Sequence, residues 1–184
     1  MRRSILITAA LLVSSAFAPD VSQAQRPVTL GLGGGVAMPL SDFGDNLGPG
    51  WNALATLAIA VPVLPVGLRL DASYSRFNIE KVLLGSAGLP ESEHVTSFTV
   101  NPVLRLPAVS PLVTPYVIGG AGSYALGCSG GDVCATSTKV GWNLGGGATF
   151  SIFGLKGFAE ARYHHTSKGS VEVAYVPLTF ALTF

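Results

Sequence analysis

From residue 28 onward, apolar and polar positions alternate in segments of roughly ten residues, separated by clusters of Gly, Pro, Ser and Asp. Successive side chains of a strand point to opposite faces, so a period of two predicts strands, and no stretch carries the 3.6-residue period of an amphipathic helix. Eight strands are predicted, over 28–38, 51–61, 66–77, 94–106, 113–124, 139–150, 156–166 and 172–184. The last is the most regular. Ala174, Val176, Leu178, Phe180, Leu182 and Phe184 share one face, and Tyr175, Thr179, Ala181 and Thr183 the other. Strand seven sets Glu160, Arg162 and His164 against Ala159, Ala161 and Tyr163. Strand three sets Arg69, Asp71, Ser73 and Ser75 against Leu68, Leu70, Ala72 and Tyr74. Strand four opposes Asn101 and Arg105 to Val100, Leu104 and Leu106, and strand six opposes Asn143 and Thr149 to Trp142, Leu144, Ala148 and Phe150.

Alternation alone does not say which face is inside. A soluble, lipocalin-like barrel would bury the apolar face, whereas a transmembrane barrel turns it to lipid and keeps a polar interior. Composition and the N-terminus favour the second. Charged residues make up only 11% of the 184 residues, yet beyond the N-terminus no apolar run approaches the ~20 residues of a spanning helix. Arg2 and Arg3 open the chain, and Ile5 to Ala18 is apolar but too short to span. Ser22-Gln23-Ala24 then offers small residues where a signal peptidase reads. Ala16-Phe17-Ala18 is a poorer site, because the cut would leave Pro19 next in line. The expected organisation is a signal peptide over 1–24 and one domain over 25–184, an all-β, eight-stranded antiparallel up-and-down transmembrane barrel. Loss of Arg2, Arg3 and Asp20 leaves nine basic and nine acidic residues, a balance that gives no footprint for a nucleic-acid partner.

An even strand number puts both ends on one side. Short turns at 62–65, 107–112 and 151–155 are expected on the periplasmic side, and longer loops at 39–50, 78–93 and 125–138 outside. Two aromatic belts are expected. Trp51, Phe77, Tyr124, Trp142, Tyr163 and Tyr175 would form the outer one, and Tyr116, Phe150, Phe158, Phe180 and Phe184 the periplasmic one. Pro102, Pro115 and Pro177 each remove a ladder donor, which suggests a bulge at Pro102 and Pro177 and a strand start at Pro115. Glycine runs at 33–35, 119–120 and 145–147 would let a narrow wall curve and leave room for interior side chains.

These features resemble the outer membrane β-barrel domain family of small eight-stranded, porin-like proteins. The resemblance rests on Leu30-Gly31-Leu32-Gly33-Gly34-Gly35, on Pro115 to Gly122, on Phe158 to His165 and on the ending Val176 to Phe184. It implies an outer-membrane location, contact with outer membrane lipids and delivery by the barrel-assembly machinery. Phe180, Leu182 and the terminal Phe184 would form the assembly signal. The family holds adhesins, passive conduits and lipid-modifying enzymes, so the resemblance specifies fold and compartment rather than activity, and leaves the extracellular ligand unnamed.

Few residues suggest chemistry. Gly31-x-Gly33 is not followed by a helix, so it makes no dinucleotide loop. Cys128 and Cys134 flank five loop residues without a nearby His, which favours a disulfide over a metal site, worth about 2 kcal/mol as a loop staple. No metal and no cofactor is expected. Arg69, Asp71, Arg105, Glu160 and Arg162 should meet in the lumen. Eight strands leave room for side chains only, so a salt-bridged plug is expected rather than a pore. His165-Thr166-Ser167, with Glu172 as the nearest acid, resembles the His-x-Ser of outer-membrane lipid A deacylases. The usual Asn after the Ser is Lys168 here, and the competing reading is a polar strand end entering water. The leading expectation is a structural or surface-interaction barrel without catalysis. A lipid A deacylase-like enzyme and a passive conduit for small apolar molecules through a lateral opening are the alternatives.

The leader makes a direct prediction. Mass spectrometry of the membrane-purified protein should find Gln25 at the N-terminus, and unboiled protein should migrate apart from boiled protein on a denaturing gel. Recovery in the soluble periplasmic fraction would refute the membrane barrel.

Overall fold

A computed structural model describes residues 28–44, 47–60, 64–79, 92–129, 136–168 and 171–184. The proposed signal peptide, Cys134 and parts of the long loops lie outside the described residues. Eight strands are present: β1 (Val28–Leu40), β2 (Leu47–Ala60), β3 (Val66–Ile79), β4 (Ser92–Arg105), β5 (Val113–Ser129), β6 (Ser137–Ile152), β7 (Leu155–Lys168) and β8 (Val171–Thr183). Each pairs antiparallel with its sequence neighbours, and β8 returns to β1 to close the barrel. All eight predicted strands are found, most of them longer by a few residues at one or both ends. Lengths of 13 to 17 residues exceed the ~9–11 that a tilted strand needs to cross a bilayer, so the wall extends beyond the hydrocarbon.

Closure is completed by the final residue. The Leu30 amide donates to the Phe184 carbonyl at 3.2 Å, and the Phe184 amide donates to the Leu30 carbonyl at 2.8 Å. Phe180 and Phe184 themselves point outward and are exposed, with Phe180 stacked on Phe150 at 5.2 Å.

The inside–outside assignment follows the alternation. Leu30, Leu32, Leu70, Phe98, Val100, Leu144 and Leu178 are exposed on the outer wall, while Arg69, Asp71, Asn101, Asn143, Glu160 and Thr179 are buried inside. An exposed apolar band of this extent has lipid as its natural solvent.

The prolines are accommodated differently from the sequence expectation. At Pro102 the β4–β5 ladder breaks between Val100↔Ala121 and Val103↔Ile118, and at Pro177 the β7–β8 ladder breaks between Ala161↔Leu178 and His164↔Tyr175. Register is the same on both sides of each break, so neither proline makes a bulge. The missing donor costs a rung on one side, and the opposite ladder stays paired at Leu68↔Pro102 and Ala37↔Pro177. The shift in register falls elsewhere, between Gly48 and Trp51. Pro115 sits near the start of β5, as expected.

The β6–β7 connection is a two-residue hairpin, with Phe153 at φ 50° and Gly154 at φ 82°. Positive φ at both central positions is the type I′ arrangement whose twist matches the flanking strands. At the other end, a single 3₁₀ turn at Ser41–Phe43 folds back over the lumen and buries Phe43 against Phe77, ring centroids 5.2 Å apart. The turn lies within the long loop predicted over 39–50.

The outer wall generates a stability prediction. Leu144→Arg or Leu178→Arg places a charge in lipid and should cost about 2–4 kcal/mol in reversible folding into vesicles. Parental stability in either variant would reverse the inside–outside assignment.

Candidate functional site

The lumen is built in three layers, and a ring of four charges forms the middle one. β3 contributes Arg69 and Asp71, two residues apart and therefore on one face. β7, on the opposite wall, contributes Glu160 and Arg162 in the same relation. Arg69 Nε lies 3.0 Å from Asp71, and its Nη2 lies 2.7 Å from Glu160. Arg162 Nη1 lies 2.8 Å from Asp71, and its Nη2 meets Glu160 to close the ring. All four side chains are buried. Charges taken from water at this depth require both partners and hydrogen bonds to the remaining lone pairs. Asn101 Nδ2 donates to Asp71 at 2.9 Å, Tyr116 Oη donates to Glu160 at 2.8 Å, and Asn143 Nδ2 donates to Asn101 Oδ1 at 2.9 Å.

Space for this network comes from the wall. A β-carbon on Gly147 would lie 2.7 Å from the Tyr116 hydroxyl, and one on Gly145 only 2.6 Å from the Arg162 Cα. β6 therefore presents hydrogen where the network needs volume, as the glycine run suggested.

The layer toward the long loops is apolar and aromatic: Phe43, Phe77, Val95, Tyr124, Leu126, Val173 and Tyr175. His164 stacks on Tyr175 at 4.9 Å, and its Nδ1 shares a hydrogen bond with the Tyr124 hydroxyl at 3.0 Å. Between this layer and the ring lies a void of about 10 Å³, the lower limit for one water. Toward the termini the lumen opens into a cavity of about 320 Å³ with Arg69, Tyr116 and Phe158 at its inner end.

Sequence reasoning named the four ring residues together with Arg105, which is placed elsewhere. Arg105 faces the lumen but stands exposed at the terminal mouth, outside the ring. The aromatic belts need a larger correction. Phe77, Tyr124, Tyr175, Tyr116 and Phe158 are inside the barrel, whereas Trp51, Trp142, Phe180 and Phe184 face outward. Height along the strand was the criterion for a belt, and side-chain parity decides membership. The signal was available: Phe77 is in phase with Arg69, Asp71 and Ser75.

At the loop end of the outer face, the proposed His165, Ser167 and Glu172 do come together. Ser167 pairs with Glu172 across β7–β8, and His165 Nε2 lies 4.0 Å from Glu172. His165 stacks on Trp142 at 5.4 Å. Among the described residues Ser167 has no hydrogen bond to His165, so the contact that would activate a nucleophile is not formed. Glu160 lies inside and cannot serve as the orienting acid. Cys128 lies at the loop end of β5, and its proposed partner Cys134 is outside the described residues.

The ring sets a measurable coupling. Glu160→Ala leaves Arg69 and Arg162 sharing one carboxylate and should cost about 3–5 kcal/mol of folding stability. Adding Arg69→Met should cost less than the sum of the single changes, by at least ~1 kcal/mol in a double-mutant cycle. Additive effects would show that the ring does not act as a unit.

Comparison with known proteins follows the same architecture. Residues 6–184 match the outer membrane protein beta-barrel domain family. No curated protein matches the chain. Among solved structures it is similar to Neisserial surface protein A, with 15% identity, a TM-score of 0.67 and coverage of 86% of this chain and 96% of that one. It is also similar to Ail, the attachment invasion locus protein of Yersinia pestis, with 18% identity, a TM-score of 0.52 and coverage of 85% and 97%. The N-terminal β-barrel domain of Pseudomonas aeruginosa OprF aligns at 12% identity and a TM-score of 0.51, covering 86% and 98%. At these identities the likeness is one of fold, and with the match over nearly the whole sequence, the chain belongs to the outer membrane protein beta-barrel domain family.

Proposed function

We propose that this protein is a plugged outer-membrane barrel whose work is done by its exposed loops, as a structural or surface-interaction element without catalysis. The observation that carries the reading is the filled lumen. The ring ties opposite walls, the aromatic layer lies above it, and the void between them has room for no more than one water. A conduit along the axis has no path through these layers. A lateral route would need an unpaired seam, and all eight neighbouring strand pairs are hydrogen-bonded, with only short gaps at Pro102 and Pro177.

Export by a signal peptide cleaved after Ala24, insertion through the barrel-assembly machinery with Phe180, Leu182 and Phe184 as its signal, and a Cys128–Cys134 loop staple complete the proposal. The loop end of the sequence carries Asp42, Asp45, Glu80, Glu91, Glu93, Asp132 and Glu172 against Arg76, Lys81, Lys139 and Lys168. That acidic balance favours a neutral or cationic partner. Ail has been crystallised with a heparin analogue, sucrose octasulfate, and such a polyanion is not complemented by these loops.

Proximity of His165 to Glu172 keeps lipid A deacylation as the second reading. Mass spectrometry of lipid A from cells expressing the parent or Ser167→Ala should show the same acylation in both. Loss of an acyl chain with the parent alone would establish the enzyme in place of the non-catalytic barrel.

A further inference from the structure

Charges on the outer wall are few, and their placement is specific. Among the described residues, strand positions in outward phase carry an acidic or basic residue only at Arg76 on β3 and Glu172 on β8, and both are exposed. The other charged positions of the strands alternate to the lumen side. The ring fixes the relative height of the two. Asp71 and Arg162 meet across the lumen, Arg76 stands five residues beyond Asp71, and Ser167, the register partner of Glu172, stands five residues beyond Arg162. Arg76 and Glu172 are therefore level near the loop end, on opposite sides of the barrel.

Each charge sits beside the same three ring types. Arg76 lies between its register partners Trp51 and His94, and Tyr74 joins those rings, 5.4 Å from Trp51 and stacked at 5.7 Å on His94. Glu172 lies 4.0 Å from His165, which stacks on Trp142 at 5.4 Å, with Tyr163 5.5 Å from Trp142. The first patch centres on β3 and the second on β7, four strands away. Between them β1 contains no aromatic residue, and both tyrosines of β5 are buried inside. Two opposite sectors of the wall thus share their ring chemistry and differ in the sign of their charge.

We infer that this barrel associates laterally with further copies of itself, the Arg76 face of one against the Glu172 face of the next, in open rows within the membrane plane. A lone exposed ion pair is weak, so the rings beside it carry part of the contact. Insertion in one direction has already fixed the height and tilt of each copy, which lowers the orientational cost of meeting side by side. Complementary patches on opposite walls cannot face each other in a two-fold dimer. They mate by translation, head to tail, and leave a free patch at each end of the row.

The test uses the full mature protein, labelled with donor or acceptor dye at its N-terminal amine and refolded into phosphatidylcholine vesicles. Energy transfer above the level of random proximity is expected for the parent. Arg76→Glu leaves two acidic patches and Glu172→Arg two basic ones, so either variant alone should fall to the random level. Mixing the two variants, or combining both changes in one chain, should restore transfer. That rescue separates a second copy from a lipid headgroup, whose loss neither the mixture nor the double change would repair. Carbodiimide coupling of Arg76→Lys should join positions 76 and 172, and only between copies, because the two lie on opposite walls of one barrel. Unchanged heat-dependent gel mobility certifies that each variant is folded. Random-level transfer by the parent, parental transfer by either single variant, a mixture without rescue, or no coupled product would each overturn the inference.

Discussion

Two arginines and two carboxylates, buried from opposite walls, hold the centre of this molecule. A lone charge at that depth would be prohibitively costly to desolvate, and even a pair often fails to recover its hydration. Four charges in a closed ring give each arginine two carboxylates and each carboxylate two arginines, with Asn101 and Tyr116 taking up further lone pairs. The net charge of the ring is zero. Because β3 and β7 lie four strands apart, the ring is also a strut across the barrel, joining residues 91 positions apart in sequence. It adds a polar constraint on lumen width to the constraint from strand number.

Much of the remaining lumen follows from accommodating that strut. Glycines in β6 thin the wall where Tyr116 and Arg162 need volume. Aromatic side chains close the loop end, where Phe43, carried in by a single 3₁₀ turn, meets Phe77. The other end has no such filler among the described residues, and the lumen stays open as a cavity with Arg69, Tyr116 and Phe158 at its inner end. The two ends thus differ in kind: an apolar and aromatic layer fills one, and the other stays open.

The likeness in fold to solved β-barrels at 12–18% identity reflects how little the wall demands of each residue. An outward position needs to be apolar, and an inward one needs to fit and find a partner. Many sequences satisfy both, so the fold persists at low identity, and function has to be argued from particular sites.

Much of the wall was legible in the sequence alone. Alternation is a local property of an extended backbone, so all eight strands, their outward faces and the four ring residues could be read from it. Closure decided what is not local. Whether Arg69 meets only Asp71 or also Glu160 depends on which walls face each other across the lumen. The prolines show the same division: that Pro102 and Pro177 lose a rung was local knowledge, whereas keeping register beside an intact opposite ladder required both neighbours in place. Phe77, Tyr124 and Tyr175 sit at a belt's height yet lie inside, because an aromatic ring takes its environment from the face it is on and from the space other strands leave there. The cavity beneath Arg69 is likewise absent from any one segment, since an empty volume is defined only by walls distant in sequence.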